Sequence, residues 1–244
     1  MSWDAATYDA LPLPHVAWGR WARGRLDLQG HEHVLDVGCG TGRDLQDLLE
    51  QHPALRATAL DRSGEMLARA RERLARHGDR VRFLQADVTQ PLALEEPADA
   101  AFSVAALHWV ADHEAAFRAL HAALAPGAPL VVDAGGHGNI ARTRAAIEAA
   151  GEDPEAYVHF ATPHDTRERL EAAGFEVLEA SLVAAPTTLP DRPTFERFLR
   201  TIVLGRHVAE RGEEERARII AEVADGLPGL SIDYVRLRVV ARRR

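Results

Sequence analysis

An α/β fold, a doubly wound and mostly parallel sheet of seven strands beneath a helical cap, is predicted by three features of the sequence. Short apolar runs alternate with amphipathic stretches of helical period through the first half of the chain. The runs stop at glycine or aspartate, residues that close strands and open turns. One late connection is far longer than a crossover needs and carries helical patterns of its own.

The elements follow in order. Val34-Leu35-Asp36-Val37 is a buried strand ending at glycines, and a helix continues from Asp44 to Leu49. Ala57-Thr58-Ala59-Leu60 is the second strand, closed by Asp61. Ser63 then caps a helix with Met66, Leu67, Ala70 and Leu74 on one face, stopped by Gly78. Strands three to five are Val81–Leu84, Ala98–Ala106 and Leu130–Val132, with a helix carrying Ala116, Leu120 and Leu124 before the fifth. Strands spaced by helices of this length imply right-handed crossovers and a parallel sheet covered on both faces. Thr166–Gly174 is a helix, Phe175–Leu178 strand six, and the alternation over Leu230–Val240 strand seven. The segment Pro186–Gly229 between them is the cap. The expected core thus runs over 31–185, the cap insertion over 186–229, and the last core strand within 230–244.

Composition removes several functions. Carboxylates outnumber cations 37 to 29 and the net charge is −8, so no nucleic-acid partner is expected, because phosphate binding needs a basic face. Every cation is arginine; without lysine there is no Schiff-base chemistry. Cys39 is the single cysteine, which excludes an intrachain disulfide and fits a reducing cytoplasm. No apolar stretch approaches ~18 residues, so no membrane span is expected, and the opening MSWDAATYDA lacks the layout of a signal peptide. His31-Glu32-His33 has no evident third ligand and is a surface strand start, so no metal site is expected.

The informative stretch is Asp36-Val37-Gly38-Cys39-Gly40-Thr41-Gly42, between a strand and a helix. Alternate glycines let backbone approach a ligand and allow positive φ. Asp61 closes the next strand and can accept from a ribose diol. Asp87 closes the third and can accept from an adenine amine. Three consecutive strand ends therefore form an adenosine-shaped site. The spacing is G-x-G-x-G, not the dinucleotide G-x-G-x-x-G, and no phosphate loop is present. An acid beside a pyrophosphate is unfavourable, whereas an acid beside the ammonium and sulfonium of S-adenosylmethionine fits. A NAD-dependent oxidoreductase also lacks its Tyr-x-x-x-Lys pair here.

VLDVGCGTGRDL, followed by ALDRS, LQADV and AALHWVADHEAAFRALHAALAPGAPLVV, resembles the class I S-adenosylmethionine-dependent methyltransferases, with their Rossmann-like sheet. More narrowly, Trp3-Asp4 with Tyr8, AALHWVADH, Gly135–Ile140, Asp191-Arg192-Pro193-Thr194 and Val239–Arg242 are similar to the trans-aconitate 2-methyltransferase family. The resemblance implies that Gly38 and Gly40 line the methionine part of S-adenosylmethionine, with Asp36 near its ammonium and Ala105 beside the sulfonium. It places the ribose hydroxyls on Asp61, Met66 against the adenine, and Asp87 with the Val88 backbone at the adenine edge; Arg62 joins this cofactor set. It sets His108 and Trp109 facing the acceptor, His137 on a loop that reaches the acceptor cavity, and Tyr8 on an N-terminal helical lid over residues 1–30. S-adenosylhomocysteine is the implied product.

The implied acceptor is a small molecule, first of all a carboxylate, taken up by a monomer or homodimer. Arg20, Arg23 and Arg206 are candidates to bind it. A carboxylate is ionised at pH 7 and needs no base; a phenol or alcohol, the alternative, would gain from one. His108 is the candidate catalytic residue, open at this point to orienting the acceptor or to taking its proton. Cys39, inside the glycine turn, is only a small residue that fits. A non-catalytic module that binds S-adenosylmethionine stays open as well.

Overall fold

The computed structural model of the chain describes residues 14–155 and 157–244. Its main sheet has seven strands in the order β3-β2-β1-β4-β5-β9-β6. They are β1 (His33–Val37), β2 (Arg56–Asp61), β3 (Val81–Gln85), β4 (Ala100–Val104), β5 (Pro129–Gly135), β6 (Phe175–Ala184) and β9 (Val235–Arg243). Strands β1 to β5 pair in parallel, and β9 runs antiparallel between β5 and β6. The helices are α1 (His15–Arg23), α2 (Arg43–Gln51), α3 (Gly64–Leu74), α4 (His113–Ala123), α5 (Ala141–Ala149), α6 (Pro163–Ala172), α7 (Arg192–Phe198) and α8 (Glu213–Asp225). Two short strands, β7 (Thr187–Thr188) and β8 (Ser231–Ile232), pair apart from the main sheet. The mostly parallel, doubly wound architecture is the one expected. Among the described residues no helix is long and apolar enough to cross a membrane.

Period-two alternation divides β1 between two cores. Leu35 and Val37 join Leu120, Leu130 and Phe175 on one face, while Val34 joins Leu45, Leu49 and Phe102 on the other. Helix caps follow local chemistry. Ser63 Oγ accepts from the Met66 N–H at the start of α3, Thr162 from the Asp165 N–H at α6, and Asp191 from the Thr194 N–H at α7, each satisfying a donor the helix leaves open.

Two expectations are corrected. The alternation over Leu230–Val240 is not one strand: β8 pairs with β7 in the neck of the cap, Asp233 and Tyr234 interrupt, and β9 continues to Arg243. The break has a cause, because the Asp233 carboxylate accepts the Arg142 N–H at 2.8 Å and the Thr143 hydroxyl at 3.0 Å, capping α5. Strand four stops at Val104, two residues short of the expected end, because Ala105 turns into the left-handed region at φ 55°. The cap's apolar core also reaches beyond Pro186–Gly229: Phe195, Phe198 and Ile219 pack with Trp18 from α1, Ile147 from α5 and Tyr234.

The strand order reverses between the parallel neighbours β1 and β4, which start excursions toward opposite edges of the sheet. The connections leaving their carboxyl ends diverge and leave a crevice. The cap closes over it.

Candidate active site

A cavity of about 490 Å³ occupies this crevice, within the usual size range for small-molecule sites. At the β1–β3 side its wall includes Gly38, Gly40, Asp61, Met66, Asp87 and Val88. Gly38 sits at φ +75°, and a Cβ there would collide with the Ala106 side chain. Gly40 sits at φ +53°, yet a Cβ there would meet no protein atom within 4 Å, so the backbone is bared to the cavity. The Asp61 carboxylate fixes this loop, accepting the Gly40 N–H at 2.9 Å and the Ser63 N–H at 2.8 Å. Burial nonetheless raises the Asp61 pKa.

Asp36 is 3% exposed. Burial, then repulsion from Asp61, pushes its pKa well above the carboxylate range, and Arg23 only partly offsets this. Asp36 does not itself line the cavity; its neighbours Val37 and Gly38 do. Two acidic side chains that disfavour each other's ionisation beside a bared glycine loop suit a positively charged ligand, whose charge favours their ionised forms, and S-adenosylmethionine carries an ammonium and a sulfonium. Asp87 Oδ1 accepts from the Thr89 N–H at 3.0 Å and its hydroxyl at 2.8 Å, which hold the exposed carboxyl below its ordinary pKa. Arg62 and Ala105 also line the cavity, completing the cofactor set read from sequence except for Asp36.

The other side is built from the turn after β4, the segment after β5, α1 and β9. His108 and Trp109 lie on a single helical turn, Leu107–Trp109, and both line the cavity. His108 is 8% exposed. Its Nδ1 accepts the Gly135 backbone N–H at 3.2 Å, and its ring lies 5.0 Å from Trp109 and 6.0 Å from Phe160. An N–H can only donate, so Nδ1 is the acceptor and the neutral ring carries its proton on Nε2. Burial, reinforced by Arg236 and His15, drives the His108 pKa well below its ordinary value. His15 is lowered to about 3, by burial and then by Arg236 and Arg43. The Arg206 guanidinium, one of the candidate acceptor-binding arginines, lies 4.8 Å over the Trp109 ring and lines the cavity.

Other sequence candidates lie elsewhere. His137 is exposed and outside the cavity wall, a correction to its expected acceptor contact. Asn139 and Ile140 take that place, because Asn139 Oδ1 accepts the Val235 N–H at 2.8 Å and turns the loop inward. Arg23 is engaged with Asp44 and, at 2.7 Å, Asp47, and Arg20 is exposed outside the wall. Trp3, Tyr8 and residues 1–13 of the expected lid lie outside the described residues. Glu32 accepts backbone N–H groups of Gln29, Gly30 and His31, and His33 Nε2 is 2.8 Å from Thr58 Oγ1. No group of His, Cys, Asp and Glu among the described residues has the layout of a metal site.

Sequence reasoning missed His15, Trp18 and Arg236 in the wall. Arg236 carried no readable signal, because it falls at a polar position of the alternation Val235-Arg236-Leu237-Arg238-Val239, where an arginine reads as part of a solvated face.

Comparison with known proteins places this geometry in a family. Residues 34–127 match the family model described as a methyltransferase domain. A trans-aconitate 2-methyltransferase from Acidovorax sp. (strain JS42) is 38% identical over 130 residues, 53% of this chain and 48% of that protein. In that match the chain spans about half of its relative's length. The trans-aconitate 2-methyltransferase of Methylobacterium nodulans is 34% identical over 261 residues, covering 99% of this chain and 98% of that protein. The chain belongs to the trans-aconitate 2-methyltransferase family. Among solved structures, mycolic acid cyclopropane synthase CmaA1, complexed with SAH and CTAB, superposes with a TM-score of 0.63 at 19% identity, over 93% of this chain and 84% of that one. At that identity the likeness concerns the fold. In this member of the trans-aconitate 2-methyltransferase family, the glycine loop, Asp61 and Asp87 of the matched domain meet His108 and Trp109 around one cavity.

Proposed function

We propose that this protein is a cytoplasmic S-adenosylmethionine-dependent methyltransferase that O-methylates a carboxylate of a small acceptor. Gly38 and Gly40 hold the methionine part of the cofactor, Asp61 accepts from its ribose hydroxyls, and Asp87 and Val88 meet the adenine. S-adenosylmethionine supplies, when bound, a methyl carbon already activated toward nucleophiles by its sulfonium. The chain's own residues then need only to align the acceptor and exclude water.

The observation that carries the carboxylate assignment is the tautomer of His108. With Nδ1 occupied by the Gly135 N–H, the ring offers the cavity an Nε2–H donor and no free basic nitrogen. A donor orients an anionic oxygen; it does not deprotonate a phenol. A carboxylate, with a pKa near ~4, arrives ionised and asks for no proton transfer. The Trp18, Ile140 and Phe160 side chains keep the site apolar around that donor.

The test is turnover of S-adenosylmethionine with a panel of carboxylic acids and phenols, following S-adenosylhomocysteine and base-labile methyl esters by mass spectrometry. Ester formation supports the reading. Methylation confined to phenols would overturn the carboxylate assignment, and tight cofactor binding without turnover on any acceptor would make the chain a binding module.

A further inference from the structure

We infer that Arg236 anchors the acceptor by a carboxylate that is held in the cavity and is not the group methylated. This rests on the methyltransferase reading above. Arg236 lies on β9, is 1% exposed and lines the cavity wall. Its Nε donates to Asp133 Oδ1 at 2.7 Å and its Nη2 to the Asp133 carbonyl at 3.1 Å. Among the described residues nothing engages Nη1, so one edge of the fork is left for a ligand. The guanidinium lies 3.7 Å over the Trp18 ring. Ring below and carboxylate behind fix its plane before any ligand arrives, which lowers the entropy cost of binding.

The local charge does not balance without an anion. Asp133, fully buried, also accepts from Arg238 Nε at 3.0 Å. One carboxylate thus serves two guanidinium groups. The other titratable groups facing Arg236 are Tyr234, His15 and His108. Tyr234 is an uncharged phenol at neutral pH, and the two imidazoles are held neutral. A buried charge left without a full counter-charge is costly. The net positive Arg236–Asp133–Arg238 group, which reaches the cavity through Arg236, is the complement of an acidic acceptor.

A carboxylate gripped by a guanidinium has its lone pairs committed to hydrogen bonds and is a weakened nucleophile. The Arg236-bound group therefore serves as the handle. The reacting oxygen belongs to a second group of the same acceptor, placed toward His108 and the glycine loop. The implied acceptor carries at least two such groups.

The experiment is calorimetry on the full chain saturated with S-adenosylhomocysteine, titrating trans-aconitate and its trimethyl ester as probes, for wild type, Arg236→Met and Arg236→Lys. Arg236→Met leaves Asp133 paired with Arg238, so the sheet retains its buried carboxylate's partner. Melting temperature and S-adenosylhomocysteine affinity check folding in each variant. The expected result is wild-type preference for the acid over the ester, and about 30-fold or more weaker binding of the acid by Arg236→Met. Arg236→Lys, which keeps the charge and loses the fork, falls between. Acid affinity in a folded Arg236→Met within about twofold of wild type, or a wild type indifferent between acid and ester, overturns the anchor. Turnover separates the two readings: esters formed by an Arg236→Met enzyme with wild-type KM remove the anchor and leave carboxylate methylation standing. Arg236-dependent binding without ester formation does the reverse.

Discussion

The backbone N–H of Gly135, at the end of β5, donates to Nδ1 of His108 across 3.2 Å. The two residues come from consecutive strand ends on opposite sides of α4, and the sheet brings them together because β4 and β5 are parallel neighbours. The contact settles which imidazole nitrogen holds the proton. In the neutral ring it leaves Nε2 as the protonated, donating nitrogen.

His108→Gln keeps an N–H donor near the position of Nε2, whereas His108→Ala removes it. With a carboxylic acid as acceptor, Gln should raise KM more than it lowers kcat, and Ala should raise KM further. The wild-type kcat profile should be flat from about pH 6.5 to 8.5, because acceptor carboxyl groups titrate near ~4 and burial keeps His108 neutral throughout that window. Steady-state kinetics over that range checks it. A wild-type rise through ~6.5 that vanishes in His108→Gln would restore the proton-acceptor role.

The glycine-loop wall of the cavity was legible because its signals are local. Gly38, Gly40, Asp61 and Asp87 fall at the ends of successive strands, and strand ends are marked by short-range punctuation. The opposite wall was not, because its determinants are distant pairs. His137 was expected to reach inward, yet the direction of its loop is set by the Asn139 contact with Val235, 96 positions away. Arg236 owes its place to Asp133, 103 positions earlier. The interruption at Asp233 and Tyr234 hides inside an alternation that a single strand would also produce, and only the α5 cap it supplies explains it.

Asp61→Asn should weaken binding of S-adenosylmethionine by about 1–3 kcal/mol, the scale of a lost charge-assisted hydrogen bond. The loss has two sources. A neutral amide is a poorer acceptor for ribose hydroxyls. The amide also has one accepting oxygen and one NH₂, which only donates, so it cannot accept both the Gly40 and Ser63 N–H groups as the carboxylate does. Calorimetry with a folded variant measures it, and an unchanged affinity would refute the ribose assignment.

His15 makes stability depend on acid in a predictable direction. Its folded pKa is lowered to about 3 by burial and by Arg236 and Arg43, against an unfolded value near ~6.5. Below about pH 6.5 the unfolded chain binds a proton at this residue that the native state refuses. This contribution is therefore intact above pH 6.5 and declines as pH falls toward the folded pKa, by ~1.4 kcal/mol per unit. In His15→Gln the acid limb should be shallower by that one increment. Urea unfolding of both proteins at pH 5 and pH 7 gives the difference, and parallel losses would show that His15 does not stay neutral in the fold.

Gly38 and Gly40 offer the sharpest separation of stability from ligand binding, since they lie two residues apart in one loop. Both adopt positive φ, so alanine at either is strained by about 1 kcal/mol. Their surroundings differ. At Gly38 the new methyl would collide with the Ala106 side chain, and either the loop or the turn that carries His108 must move. Gly38→Ala should lower the melting temperature substantially with or without cofactor. At Gly40 the new methyl meets no protein atom within 4 Å and projects into space beside the cavity. Gly40→Ala should cost only the backbone strain in the free protein, and Gly40→Val, with its branched Cβ, somewhat more. Both Gly40 variants should lose S-adenosylmethionine affinity steeply, because the ligand needs the room that the side chain takes. Thermal melts with and without S-adenosylhomocysteine separate the cases: the Gly40 variants should lose the ligand-induced rise while keeping most of the free-protein stability. A Gly40→Val protein that is stabilised by ligand as strongly as wild type would place the cofactor away from this loop.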